Sequence, residues 1–335
     1  MRLRLVLSLS LLLVVAHSGA AYQLVEFLDP DDQVINLKWG DDSLPIPYWV
    51  NVRPPDEFTL NDTVAAIQAS FNTWESIDSA DLRFNYSGTT TAEPFVFFDF
   101  INTLGFVTDP DLEGSGILGA TNWIFYTFTG EIAEADIFFN NYYPWSIDPN
   151  GEDGHYDFQS VATHEIGHFL GLGHSSTGVM ETAGLRRSLV DGSAIMFPFA
   201  YPAGSTVGRT PVADDIAGIS ALYPTGGFTA ATGTVSGQVT KGGQPILGAY
   251  INAFNPFTGE TIGFFTNENG RYNIKGLKPG PYVVRVNPIT DPTTPEDFNF
   301  SENLVDMDFR DALFVGRAEV EPGENTIGID FEVQQ

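Results

Sequence analysis

Cysteine is absent from this 335-residue chain. No disulfide can brace it, no thiolate can bind a metal and no N-terminal cysteine can carry a lipid. The folded state must therefore rest on apolar cores, and the length suffices for one or two of them. Basic residues are scarce as well: 15 Lys and Arg face 43 Asp and Glu, a formal net charge of −28. Such a chain repels nucleic acid and anionic membrane surfaces. The charge reads first as solubility, with calcium binding by some of the carboxylates as the open alternative. Long apolar runs are missing too, since a membrane-spanning helix needs about 18 residues and none is that long. The run Leu5 to Val15 is eleven residues, follows Arg2 and Arg4, and precedes the small residues Ser18-Gly19-Ala20-Ala21. That is the pattern of a secretory signal peptide, expected over residues 1–20, with cleavage one residue later as the alternative. Its removal leaves 13 basic against 43 acidic residues, net −30, on an extracellular or periplasmic protein.

Histidine is almost as rare. There are five, and His17 falls in the expected leader. Three of the other four stand in His164-Glu165-Ile166-Gly167-His168-Phe169-Leu170-Gly171-Leu172-Gly173-His174, which reads H-E-x-x-H-x-x-G-x-x-H. On a helix, His164 and His168 are one turn apart and project side by side, so both imidazoles can reach one zinc ion. Glu165 is rotated off that pair and suits a general base beside a coordinated water. Gly171 accepts positive φ and allows a sharp turn that returns His174 to the same metal. Three protein ligands leave a fourth position for water, the arrangement of a catalytic rather than a structural zinc site.

Residues 21–44 are acidic and irregular, an N-terminal arm or a short pro-segment. Ile46 to Val52 reads as a first strand. Val64, Ile67, Phe71 and Trp74 recur at helical spacing behind the cap candidates Asn61 and Asp62. Leu82 to Tyr86, Phe95 to Phe100, Trp123 to Phe128 and Ile137 to Phe139 are further strand candidates. The zinc motif sits on a second helix from about Phe158. A third begins with Thr210 as cap and Pro211 at its first position, carries Asp214 and Asp215 in its first turn, and presents Val212, Ile216, Ile219 and Tyr223 on one face. Residues 225–232 read as a linker. Beyond it, short alternating strands and Gly-, Pro- and Asn-rich turns predict an all-β unit. The expected fold class is α+β over 45–224, followed by a small β-sandwich over 233–335.

At the histidine motif the chain resembles the metzincin zinc endopeptidases. Ser175 after the third histidine, Met196-Phe197-Pro198 and Asp214-Asp215-Ile216-Ala217-Gly218-Ile219 resemble the matrixin branch. The resemblance implies a catalytic domain of twisted mixed sheet and three helices, Zn²⁺ on His164, His168 and His174, and Glu165 as catalytic base. It also implies a Met-turn beneath the metal, with Met196 favoured over Met180, and protein or peptide substrates lying along an edge strand, here expected around Glu134–Asn140. With Met196 in that role, 181–193 would be an inserted loop. The cysteine latency switch of matrixin pro-segments is impossible here; Asp41 or Asp42 is the substitute to consider. Tyr201 is expected to line the specificity pocket with Phe199. The second unit resembles carboxypeptidase-regulatory-like (transthyretin-like) β-sandwiches through Gly237-Gln238-Val239, Pro245 to Ala249, Thr266 to Tyr272 and Leu277 to Tyr282. That resemblance leaves a spacer and a module binding a surface, glycan or protein as equal readings.

Asp148 to His155 resembles a calcium loop in composition but has Asp153 where an EF-hand needs glycine. Two functions follow. The first is a secreted zinc endopeptidase; the second is an extracellular adhesion or scaffold protein with a vestigial or structural zinc site.

Overall fold

The computed structural model describes residues 24–28, 34–178, 180–183, 186–189 and 193–335. The expected leader lies outside the described residues. In the first unit, β1 (Glu26–Leu28) pairs antiparallel with β2 (Val34–Asn36). There follow β3 (Ile46–Asn51), α1 (Leu60–Glu75), β4 (Phe84–Thr90), β5 (Thr103–Val107), β6 (Gly119–Phe125) and β7 (Ile132–Asn140). Their sheet has the order β4-β3-β5-β7-β6, all parallel except β6, which runs antiparallel to β7. The edge beside the histidines is therefore β6, and Glu134–Asn140 belongs to the internal β7. The expected edge strand is corrected accordingly: all but one of the β7 residues are buried, as a strand flanked on both sides requires.

Short β8 (Trp145–Ser146) and β9 (Tyr156–Asp157) lead into α2 (Phe158–Phe169), the motif helix. It packs on α1, whose Ile67, Phe71 and Trp74 are buried at the expected helical spacing, each contributing about 1.5–3 kcal/mol of apolar burial. Trp74 Nε1 donates to the Thr163 carbonyl at 2.9 Å, locking the two helices in register. The cap of α1 is Thr59, not Asn61 or Asp62. Thr59 and Asp62 form a reciprocal capping box, which puts Asp62 at the third helical position.

The segment Phe95–Phe100, expected as a strand, is a loop. Its backbone N–H groups bond buried carboxylates instead of a neighbouring strand: Phe95 to Asp136, Phe98 and Phe100 to Glu134. Phe95, Phe98 and Phe100 all take positive φ, which no strand allows.

After α2, β10 (Met180–Ala183) and β11 (Arg186–Leu189) make a hairpin that begins one residue before the segment expected as an inserted loop and runs into it. Then comes α3 (Ala213–Leu222), which starts after the expected Thr210 and Pro211. Its apolar face is the expected one only in part, with Ile219 and Tyr223 buried. Ile216 is exposed, whereas Asp214, Asp215, Ala217, Gly218, Ile219 and Leu222 are buried, because the second unit covers a face that a two-layer reading would leave to water. The expected linker holds a short helix, α4 (Phe228–Ala231), with Phe228 buried.

The second unit comprises β12 (Gly233–Lys241), β13 (Gln244–Pro245), β14 (Tyr250–Phe254), β15 (Thr261–Phe265), β16 (Arg271–Leu277), β17 (Gly280–Asn287), β18 (Ala312–Leu313), β19 (Ala318–Val320), β20 (Asn325–Thr326) and β21 (Phe331–Val333). They form two five-stranded sheets, one centred on β12 and the other running β15-β14-β17-β18 with β19 also on β17. The alternating Val235, Val239, Ile251, Ala253, Val284 and Val286 fill the space between them, and Ala217 of α3 belongs to the same core. The whole is an α+β unit joined to a β-sandwich.

Within 21–44 the described residues pack on the first unit. Leu24 bridges Leu172, Val25 N–H donates to the Gly171 carbonyl at 2.9 Å, and Leu37 and Trp39 are buried in the first core. Trp39 Nε1 donates to the Phe169 carbonyl at 2.9 Å, satisfying one of the last carbonyls of α2. Asp41 and Asp42 are exposed on a short turn, and neither is among the residues lining the cleft.

Candidate metal centre

Asp157 starts α2 by accepting the Ser160 N–H at 2.8 Å, a cap that the sequence displays as Asp three residues ahead of Ser. Arg209 reinforces it by forming an ion pair with Asp157 and donating to the Asp148 carbonyl. Among the described residues, the single group of three or more His, Cys, Asp or Glu ligand atoms close enough to share a metal is His164, His168 and His174.

Those three offer one ligand atom each, all within 4.8 Å of one another. The hydrogen bonds define which nitrogen is offered. His164 Nδ1 lies 2.7 Å from the Ile195 carbonyl, His168 Nδ1 2.7 Å from the Leu172 carbonyl, and His174 Nδ1 2.7 Å from the Asp297 carbonyl. A carbonyl only accepts, so every Nδ1 carries the proton and every Nε2 presents a lone pair. His164 and His168 bring two such lone pairs to 3.1 Å, with no proton between them. Burial and the neighbouring His174 push the His164 pKa down to about 3, and burial lowers those of His168 and His174. Neutral imidazoles with converging acceptors are what a divalent cation requires.

The turn to His174 depends on Gly171, with φ +95°; a Cβ there would lie 2.0 Å from the Leu37 carbonyl oxygen. Met196 is fully buried and abuts α2 so closely that a Cβ on Gly167 would stand 2.3 Å from its sulfur. Its own N–H and that of Ile195 donate to Asp215, and its carbonyl accepts from Ser175 N–H. Asp215 thus ties α3 to the turn that carries both Met196 and the His164 partner Ile195. Met180 stands instead at the head of the β10–β11 hairpin.

Glu165 is 5% exposed. Thr121 of β6, unmarked in the sequence, places its hydroxyl 2.9 Å from both the Glu165 carbonyl and Oε2. Burial pushes the Glu165 pKa up to about 7, against the pull of that hydrogen bond. Gly119 of the same strand passes so close that a Cβ would meet the Glu165 side chain at 3.2 Å. The three histidines and Glu165 open onto a cavity of about 600 Å³, whose apolar wall includes Leu118, Val161, Pro198, Phe199 and Tyr201. Tyr201 donates to the Ser193 carbonyl at 2.8 Å, so its hydroxyl is engaged away from the metal site.

Asp297, 123 residues beyond His174, had no signal as its partner. The box Thr294-Pro295-Glu296-Asp297 is legible as a capped turn, but nothing in it names the ring it would meet.

Comparison with known proteins agrees with this geometry. The matrixin family profile matches residues 38–224, and the carboxypeptidase regulatory-like domain profile matches 234–303. Metalloendoproteinase 1-MMP of Arabidopsis thaliana is 27% identical over 56% of this chain and 44% of its own length. Matrilysin of Rattus norvegicus is 40% identical over 22% of each chain, and matrix metalloproteinase-16 of Homo sapiens 30% identical over 48% of this chain and 24% of its own. The chain thus spans less than half the length of each of these relatives. A solved structure, the Bacillus anthracis TIE protein, is matched over 31% of this chain and 17% of that one at 16% identity and TM-score 0.21, too low to bear on the fold.

Proposed function

Because this chain belongs to the matrixin family, we propose that it is an exported zinc endopeptidase that hydrolyses internal bonds of proteins or peptides. The observation carrying the proposal is the convergence of three Nε2 lone pairs beside a buried Glu165, on a cleft bordered by a sheet edge. His164, His168 and His174 would hold the ion, and Met196 supports them from below. Zinc bound there would polarise a peptide carbonyl and acidify water.

The chain's own residues supply the rest. An extended substrate strand can pair with the free side of β6, whose single ladder partner among the described residues is β7. The wall of Leu118, Val161, Phe199 and Tyr201 suits a bulky apolar side chain. Thr121 engages Oε2 of Glu165, leaving Oε1 to take the proton of the attacking water and return it to the departing amine. Burial raises the Glu165 pKa and a zinc ion beside it would lower it again, which leaves the carboxylate able to take the proton and the acid able to return it. Grouped carboxylates for calcium are lacking among the described residues, and the proposal is confined to zinc. Export rests on the leader-like N-terminus together with the family; no described helix is long and apolar enough to cross a membrane.

The test is Glu165→Ala. Zinc should remain bound one to one while cleavage of casein or of a diverse peptide library falls at least about 10²-fold. Unchanged hydrolysis refutes the role of Glu165. A wild-type protein that cuts nothing, with zinc or without it, supports the scaffold reading.

A further inference from the structure

The loop following β17 crosses from the sandwich to the metal centre. Its short turn, Pro295–Phe298, is closed by Asp297, whose Oδ2 accepts from Thr294 N–H at 2.7 Å and Thr294 Oγ1 at 3.2 Å. The Asp297 carbonyl then accepts the Nδ1 proton of His174. Asn299, in left-handed conformation at φ 58°, follows at once and lies in the wall of the cleft. On either side of it Phe298 and Phe300 are buried with Tyr250, Phe265 and Ile289, their rings 4.9 and 5.3 Å from that of Phe265. The loop is thereby fastened to the outer face of the β14–β15 sheet.

A second fastening reaches the same histidine from below. Asp214 is fully buried; its Oδ2 accepts from Ser175 Oγ at 2.6 Å and its Oδ1 from Thr177 Oγ1 at 2.9 Å and Gly263 N–H at 2.7 Å. The Thr177 and Tyr250 hydroxyls are 2.7 Å apart. The strand of chain leaving His174 is thus bonded to both β14 and β15. His174 needs this more than its partners do. His164 and His168 stand on a helix, whereas His174 follows a glycine turn with no regular element around it.

We infer that the β-sandwich is a working part of the metal centre: the main-chain carbonyl of Asp297 is the positioning group for His174, and the loop 294–300 is one wall of the substrate cleft. The inference rests on reading the three histidines as a zinc site. An outer partner that fixes a ligand imidazole sets its tautomer and ring plane, and losing such a partner costs 10–100-fold in metal affinity or activity.

The experiment uses the full-length protein, with zinc titrated against a chromophoric chelator and Co²⁺ substituted for its visible spectrum. Asp297→Ala unties the turn and should weaken zinc by about 10–100-fold and shift the Co²⁺ bands. Asp297→Asn keeps an oxygen for Thr294 and should restore both readouts toward wild type. Phe298→Ala, acting on the anchor rather than the turn, should move them in the same direction as Asp297→Ala. Tyr272→Phe, which removes a hydroxyl bonded to Ile329 elsewhere in the sandwich, should change neither. Folded Asp297→Ala and Phe298→Ala proteins that hold zinc as tightly as wild type, with unaltered Co²⁺ bands, would overturn the inference and leave the endopeptidase reading intact. A wild type that binds no zinc would instead remove the metal reading on which it stands.

Discussion

The two sides of the metal centre are built differently. His164 and His168 owe their juxtaposition to one helical turn, and their hydrogen-bond partners Leu172 and Ile195 lie in the same α+β unit. His174 owes its place to a glycine turn, to Asp214 on another helix and to a carbonyl in the sandwich. The first side is local chemistry written in five residues. The second is tertiary structure, assembled from segments as far apart as Leu37 and Asp297. The eleven-residue motif describes both sides equally well, yet the second draws its support from farther along the chain than the first.

Substitutions can break or sharpen that contrast. The largest effect is expected from His168→Ala, which removes a ligand rather than its support. Zinc affinity should fall by more than the roughly 100-fold that outer-shell changes reach, and cleavage should disappear with it, read by metal analysis and a peptide assay. Asp214→Ala attacks the distant side. It leaves the buried Gly263 N–H and two hydroxyls without their acceptor, at about 1–3 kcal/mol for each group left unmet. Thermal unfolding should show a drop of several degrees, and a Tm equal to wild type would deny that this junction holds the two units together. Gly171→Ala should cost about 1–2 kcal/mol for the positive φ alone, and more because the new Cβ meets the Leu37 carbonyl. Its Tm should fall while Glu165 and α2 stay in place. Thr121→Val is the mildest. It removes one hydroxyl from Glu165, so kcat should fall by about tenfold with zinc binding unchanged, the reverse of the pattern expected for Asp297→Ala.

Legibility followed the same divide. The helix around His164, its start near Phe158, the positive φ of Gly171 and the core stripe of α1 were readable because each depends on neighbours within a few residues. The alternation of Val235 to Val239 and Val284 to Val286 announced a sandwich for the same reason. What eluded the sequence was decided elsewhere in the chain. Phe95–Phe100 has the composition of a strand but is shaped by carboxylates of Glu134 and Asp136 on another element. Ile216 has the spacing of a core residue but lies opposite the face that the sandwich covers. The edge strand was misplaced by one position in the sheet because strand order is not a property of any strand. Thr121 and Asp297 carry no local mark of their use; each becomes meaningful only when a glutamate or a histidine arrives beside it.

Val25 and the stretch from Leu37 to Trp39 bear on the far end of the motif helix. The Trp39 indole caps the Phe169 carbonyl at the end of the motif helix, Val25 N–H bonds the Gly171 carbonyl just beyond it, and Leu37 and Trp39 fill the hydrophobic interior next to it. A protease that trimmed the chain to residue 39 would uncork that helix end and unseat the glycine turn packed against Leu37. The described residues before β3 are in this sense a layer of the first core, and their loss would be felt at the histidine turn rather than at the chain end.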